Sequence, residues 1–285
     1  MSTQVITAPT APTAPSSPMP FKADNGPQRQ PSAFLKGIVQ TEFPMEVFDR
    51  VGKLPVFYYD NSSMTAVFTA STRQVRALLP DPNMHPIELM PGRCVVAFSA
   101  FEYRDTDIDP YNEFSISFLM SYGRRTLPGM HLLRGLASRC FEAYVWKLPV
   151  TTEIARWGGV ELYGYPKFLA DIDFKRDTAH TTCTLSVEGR HILSLQGQAL
   201  EGGPAKLLRY RAYSMRNGVP LCANVYTNPL QYAQTMSPGA ASLTLGDHDI
   251  AHQLKALDLS SSPLMYQYCP RNELVLFGPR NLMDN

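Results

Sequence analysis

The chain has 285 residues, with 26 lysines and arginines against 25 aspartates and glutamates, and a formal charge of +1. That length can bury a sizeable core, and the near-neutral balance, with no dense basic run interleaved with aromatics, argues against nucleic acid as a partner. No uninterrupted apolar run approaches the roughly eighteen residues needed to span a bilayer, and five scattered cysteines without a CxxC pair give neither a disulfide framework nor a zinc site. The expectation is a cytoplasmic protein with no membrane partner and reduced, mostly buried thiols.

Residues 1–33 are rich in Pro, Ala, Thr and Ser and read as a disordered leader. They lack the basic and apolar regions of a secretory signal, and no arginine precedes Arg29, unlike an organellar transit segment. Residues 34–285 are read as a single domain. Strand-like runs recur at Met64–Phe68, Arg93–Tyr103, Glu113–Tyr122, Thr181–Val187, Ile192–Leu200, Val219–Tyr226, Ser242–Leu245 and Glu273–Phe277. A short helix is expected after Ser71 or Thr72, stopped by Pro80. A longer one is expected over about Gly129 to Trp146, where Leu133, Leu136, Cys140 and Tyr144 follow helical spacing. Many strands and few helices give a mainly β, α+β fold, with an antiparallel barrel-like or conical core and peripheral helices.

The clearest strand pattern is Glu113–Tyr122. Phe114, Ile116, Phe118, Met120 and Tyr122 fall on one face, and Glu113, Ser115, Ser117 and Ser121 on the other, with Leu119 the exception. A solvent-facing strand would carry long charged side chains, so the serine face suits the wall of a cavity with Glu113 at one end; a sheltered, solvent-exposed edge is the alternative.

Chemistry concentrates in Gly159-Val160-Glu161-Leu162-Tyr163-Gly164-Tyr165-Pro166-Lys167-Phe168. An ammonium walled in by Tyr163, Tyr165, Pro166 and Phe168 loses hydration, which favours the free amine, and a free amine attacks carbonyls. The competing reading is a snorkelling lysine on a strand edge. His248 and His252, four apart, lack the intervening glutamate of an HExxH metal site, and Gly158-Gly159 and Gly202-Gly203-Pro204 read as turn glycines rather than phosphate loops.

The stretch Glu161 to Lys167, with Pro110-Tyr111-Asn112-Glu113 upstream, resembles the acetoacetate decarboxylase superfamily, whose motif is roughly Gly-x-Glu-x-x-Gly/Ala-Tyr/Phe-Pro-Lys. The likeness extends more weakly from about Leu54 to the C-terminal end. It implies a closed β cone around Lys167, and a Schiff base between Lys167 and a keto acid. It also implies a proton-shuttling or carboxylate-positioning role for Glu113, and pocket positions for Tyr165 and Glu161. Phe168 stands where the decarboxylase type has a second lysine, so desolvation alone must activate Lys167, and Phe168 is expected in the substrate-binding wall. The family's second pocket glutamate falls near Phe98 or Ser99 and its carboxylate-binding arginine near Asn61 or Ser62, so neither is matched; Glu102, Arg93 and Arg104 are the nearby charged residues. The resemblance implies a metal-free carbon–carbon lyase without an organic cofactor, decarboxylating a β-keto acid through an imine on Lys167, as a homo-oligomer and in secondary metabolism; the unmatched arginine leaves open a keto acid larger than acetoacetate or aldol–dehydration chemistry. An aldolase–dehydratase using the same lysine and a non-catalytic small-molecule-binding barrel are the alternatives.

Overall fold

The computed structural model describes residues 32–284. The leader expected over residues 1–33 therefore lies outside the described residues except for Ser32 and Ala33. In chain order, a hairpin of β1 (Thr41–Met45) and β2 (Arg50–Leu54) precedes the long β3 (Val56–Ser71) and α1 (Thr72–Leu78). Two short strands, β4 (Met84–Pro86) and β5 (Glu88–Met90), lead into β6 (Arg93–Thr106) and β7 (Tyr111–Tyr122). Then come α2 (Met130–Ser138), β8 (Cys140–Lys147) and α3 (Glu153–Tyr163). The rest comprises β9 (Asp171–Arg176), β10 (His180–Val187), β11 (Arg190–Gln198), β12 (Leu208–Arg216), β13 (Val219–Thr235), β14 (Ala241–Leu245), α4 (Asp249–Lys255), β15 (Met265–Leu276) and β16 (Arg280–Asn281).

Seven strands close into a barrel in the order β7-β8-β12-β13-β15-β3-β6, with β6 pairing back onto β7. All neighbours are antiparallel except β8 and β12, which run parallel, so the expected purely antiparallel barrel has one parallel seam. The long excursion from β8 through α3 and a second sheet makes that seam possible, because parallel neighbours need a crossover connection.

The second sheet, β14-β11-β10-β9, covers the outside of the barrel. Between the two lies the main hydrophobic core. Phe68, Phe98, Phe114 and Phe118 project outward from the barrel and meet Ile172, Cys183, Leu185 and Leu195 of the covering sheet. The approach is close at Gly197, where an added Cβ would overlap the ring of the fully buried Tyr266. With the core on the outside, the inward faces of the strands are free to line a cavity.

The helix expected over Gly129–Trp146 ends early. α2 stops at Ser138 because Arg139 takes a left-handed conformation (φ 50°), and the next residues form β8. Phe141, Ala143 and Val145 line the lumen, while Tyr144 and Trp146 pack on the outer core. The run Phe-Glu-Ala-Tyr-Val-Trp satisfies helical and alternating spacing alike, and pairing with β7 and β12 decides between them. Leu133 and Leu136, expected in a packed stripe, are exposed.

Candidate active site

Lys167 owes its position to a sequence of local constraints. α3 ends at Gly164, which is left-handed (φ 62°); the Gly164 N–H donates to Val160 O at 3.1 Å and the Tyr165 N–H to Gly159 O at 2.9 Å. Glycine is the residue that takes this conformation without a Cβ penalty, and Pro166 prevents the helix from resuming. The chain beyond is extended beside residues 148–150: Leu148 N–H donates to Pro166 O, Val150 N–H to Phe168 O and Ala170 N–H to Val150 O. Val150 in turn bridges to Glu113 of β7, and Phe114 N–H donates to Pro149 O at 3.0 Å. This register carries Lys167 to Glu113.

The Lys167 Nζ lies 2.8 Å from the Glu113 Oε2, with the two side chains only 6% and 9% exposed. A buried ion pair survives when its remaining valences are satisfied, and the Tyr103 hydroxyl donates to Glu113 Oε1 at 3.2 Å. Around the pair stand Tyr58, Tyr103, Tyr111 and Tyr165, all buried. The Tyr58 and Tyr111 hydroxyls are 3.1 Å apart, Nζ sits 5.4 Å from the Tyr111 ring centre, and Tyr165 stacks on Tyr163 at 5.3 Å. Burial above all, with the Glu113 charge among the further causes, pushes these four phenols well above their usual value of 10. They remain neutral hydrogen-bond donors and low-dielectric walls.

The pair opens into a lumen of about 250 Å³ inside the barrel. One wall carries hydroxyls: Ser115 and Ser117 of β7, Ser99 of β6, and Ser63 and Thr65 of β3. The Ser115 and Ser117 hydroxyls are 2.7 Å apart, and Thr65 donates to Ser99 at 2.8 Å. The opposite strands contribute an apolar strip, Ala143, Val145, Ala212, Val225 and Leu276, flanked by Tyr210, Arg211 and Thr227.

Of the sequence-predicted residues, Lys167, Glu113 and Tyr165 converge on this site. Glu161 and Phe168 do not. Glu161 is exposed on α3, two residues and more than half a helical turn from Gly159, the position that underlies the lysine. Phe168 packs against the outer core, because an extended chain points neighbouring side chains to opposite sides and Lys167 takes the inner one. The Gly158-Gly159 pair is helical, not a turn; a Cβ at Gly159 would overlap Cδ and Cε of Lys167. Arg104 is held by Asp60 at 2.7 Å and by Glu102 at 3.1 Å, Glu102 also binds Arg176, and Arg93 binds Asp258 and Thr69. These charges satisfy one another away from Lys167.

Tyr58, Tyr103 and Tyr111 were not legible as site residues. Tyr103 of β6 and Tyr111 of β7 are cross-strand partners, and their inward direction becomes visible only from that pairing. His248 caps α4 by accepting from Ile250 N–H, and His252 contacts Asp247 at 2.7 Å. Among the described residues no group of three histidine, cysteine, aspartate or glutamate side chains is placed to hold a metal ion. The five cysteines are free; burial pushes the thiols of Cys94 and Cys269 up to about 12, which leaves them as packing groups. No helix among the described residues is long and apolar enough to cross a membrane.

A buried lysine–carboxylate pair thus borders the lumen of a seven-stranded β-barrel. Residues 45–272 match the family model described as acetoacetate decarboxylase, and the chain belongs to that family. Its fold is similar to that of an acetoacetate decarboxylase structure (TM-score 0.57, 16% identity, covering 80% of this chain and 89% of the other). The acetoacetate decarboxylase of Legionella pneumophila is similar to the same degree (TM-score 0.57, 15% identity, 80% and 87% covered). So is the enduracididine biosynthesis enzyme MppR in complex with the condensation product of pyruvate and imidazole 4-carboxaldehyde (TM-score 0.56, 14% identity, 80% and 89% covered). No curated protein matches the chain in sequence.

Proposed function

We propose that the protein is a Schiff-base-forming carbon–carbon lyase that decarboxylates a β-keto acid, with Lys167 as nucleophile and Glu113 as proton shuttle. The observation that carries this reading is the 2.8 Å contact between Lys167 Nζ and Glu113 Oε2 at the end of an enclosed lumen. Moving one proton from Nζ to Oε2 converts the ion pair into a neutral amine beside a neutral acid, with no change in net charge. The amine attacks the keto carbon, Glu113 returns its proton to the carbinolamine oxygen, and water leaves to give a protonated imine. The bond between the α-carbon and the carboxylate carbon then breaks, its electron pair moves into the enamine, and carbon dioxide departs. Protonation of the α-carbon and hydrolysis release the ketone and restore Lys167. The substrate carboxylate is desolvated in this lumen, and its loss as a neutral gas relieves that buried charge while the protonated imine takes up the electron pair.

The experiment is borohydride reduction in the presence of a panel of keto acids, followed by peptide mass spectrometry. The expected result is a mass increase on Lys167. An unmodified Lys167 with every keto acid would leave the family fold as a binding barrel.

A second reading, aldol condensation and dehydration through the same imine, is supported by the likeness to MppR. Product analysis separates the two: carbon dioxide release marks the first, and a condensed, dehydrated product the second.

A further inference from the structure

The lumen is far longer than a four-carbon keto acid. Its β7 wall runs from Glu113 to Leu119, and its far end is reached by Leu132 of α2, Val67 and Met265. Six residue steps of about 3.3 Å span about 20 Å of strand, or about 15 Å along a barrel whose strands tilt by about 40°. A volume of about 250 Å³ spread over that depth is a narrow slot.

The slot is also two-faced and nearly free of unpaired charge. Among the described lining residues, Lys167 and Glu113 are paired with each other, and Arg211 is paired with Glu142 at 2.9 Å. Ser115, Ser99 and Thr65 stand directly opposite one another across β7, β6 and β3, and Gln267 of β15 continues the row. Asn272, bonded to Asn61, also borders the lumen. The hydroxyls of this row can donate to a ligand carbonyl and can donate to or accept from a ligand hydroxyl.

We infer that the ligand of this lumen is a linear, medium-chain 3-oxo acid whose tail carries no second charge and bears a carbonyl or hydroxyl oxygen on one edge. The keto carbon meets Lys167, the hydrocarbon edge of the tail lies on Val145, Ala212 and Val225, and its oxygen faces the hydroxyl row. This assignment rests on the lysine reading for the position of the keto group but not for the tail. Arg211, the remaining cation among the described lining residues, is already held by Glu142 at 2.9 Å, so a charged tail end is disfavoured.

Two measurements separate the two readings. In the Lys167→Ala variant, calorimetry with a series of linear methyl ketones reads the lumen alone; affinity should rise about fourfold per methylene and then level off once the slot is filled. In the wild type, borohydride trapping and kcat/KM across linear 3-oxo acids should rise from acetoacetate to the medium-chain acids, and 3-oxo dicarboxylic acids should be rejected. A 5-hydroxy-3-oxo acid should exceed its 5-deoxy counterpart, and Ser99→Ala and Ser115→Ala should each reduce that advantage about fivefold. Leu119→Trp, which shortens the slot, should move the preference toward short chains. Trapping at Lys167 with a flat chain-length profile, or acceptance of dicarboxylic acids, overturns the inference and leaves the lysine chemistry standing. Chain-length-dependent ketone affinity without trapping overturns the lysine chemistry and keeps the ligand class. Equal use of the hydroxylated and deoxy acids overturns the role of the hydroxyl row.

Discussion

On β7, Phe114, Ile116, Phe118 and Met120 are fully buried against the covering sheet, whereas Glu113, Ser115, Ser117 and Leu119, one residue out of step, face a cavity. Both faces are sheltered from bulk water, yet only one is filled. Most small barrels place their core inside. Here the outer face supplies the packing, which relieves the inner face of that duty and allows it to hold small hydroxyls, a lysine and a carboxylate. Stability and chemistry are thus separated by a single strand's thickness, and substitutions on the two faces should separate them too.

The largest effect belongs to the inner face. Lys167→Ala should eliminate turnover and the borohydride-trapped adduct, while the far-UV circular dichroism spectrum of the folded barrel persists. Adduct formation at another lysine with unchanged turnover would remove Lys167 from the mechanism. Glu113→Gln keeps the shape and loses the proton acceptor, so the chemical step should slow by about a hundred- to ten-thousand-fold, read from single-turnover kinetics. A weakened KM with unchanged kcat would make Glu113 a binding residue instead.

On the outer face the readout changes. Phe118→Ala should cost about 3 to 5 kcal/mol in urea unfolding, since it leaves a void between the sheets, whereas Ser117→Ala should cost about 1 kcal/mol, the value of one hydrogen bond. Equal costs at the two neighbours would mean that the lumen is packed as tightly as the core.

Gly159 connects the two regions. In Gly159→Ala the new methyl group must displace the flexible lysine stem, because the helix backbone is fixed. Misplacing a catalytic atom by about 1 Å costs about a hundredfold, so trapping should slow by about that factor while stability holds or rises slightly, alanine being the better helix former. Unchanged trapping kinetics would show that Nζ reaches Glu113 by another path.

How much of this could be read in the sequence depends on how far each signal travels. The two faces of β7 were legible because alternation is local, and Lys167, Glu113 and Tyr165 through motifs a few residues long. Phe168 was misplaced although the signal was present: once Pro166 makes the chain extended, adjacent residues diverge, and Phe168 must leave the side that Lys167 occupies. β8 was misread as helix because its aromatic residues satisfy both periods, and only its partners β7 and β12 choose. The purpose of Gly159 and the inward turn of Tyr58 and Tyr103 depend on contacts with residues far along the chain, which no local pattern encodes.

A change confined to alkaline pH tests whether the walls around the pair are dry. Tyr58, Tyr103, Tyr111 and Tyr165 are held above the usual phenol value chiefly by burial, so they prefer to keep their protons in the folded state. Below about pH 10 the phenol is protonated in both folded and unfolded chains, and its contribution is fully present. As the pH rises past about 10, the unfolded chain releases the proton and the folded one does not, so stability falls by about 1.4 kcal/mol per pH unit for each buried tyrosine. Tyr103→Phe removes one such group, and its unfolding free energy should therefore decline less steeply with pH than that of the wild type by about that amount per unit. The lost hydrogen bond to Glu113 shifts the whole curve without changing this slope difference. Urea unfolding at a series of alkaline pH values, with tyrosinate absorbance followed in parallel, gives the measurement. Parallel slopes, with tyrosinate forming at Tyr103 before the barrel unfolds, would mean that water reaches the lysine–carboxylate pair, and that the inner face is held open by solvent rather than by the rigid outer core.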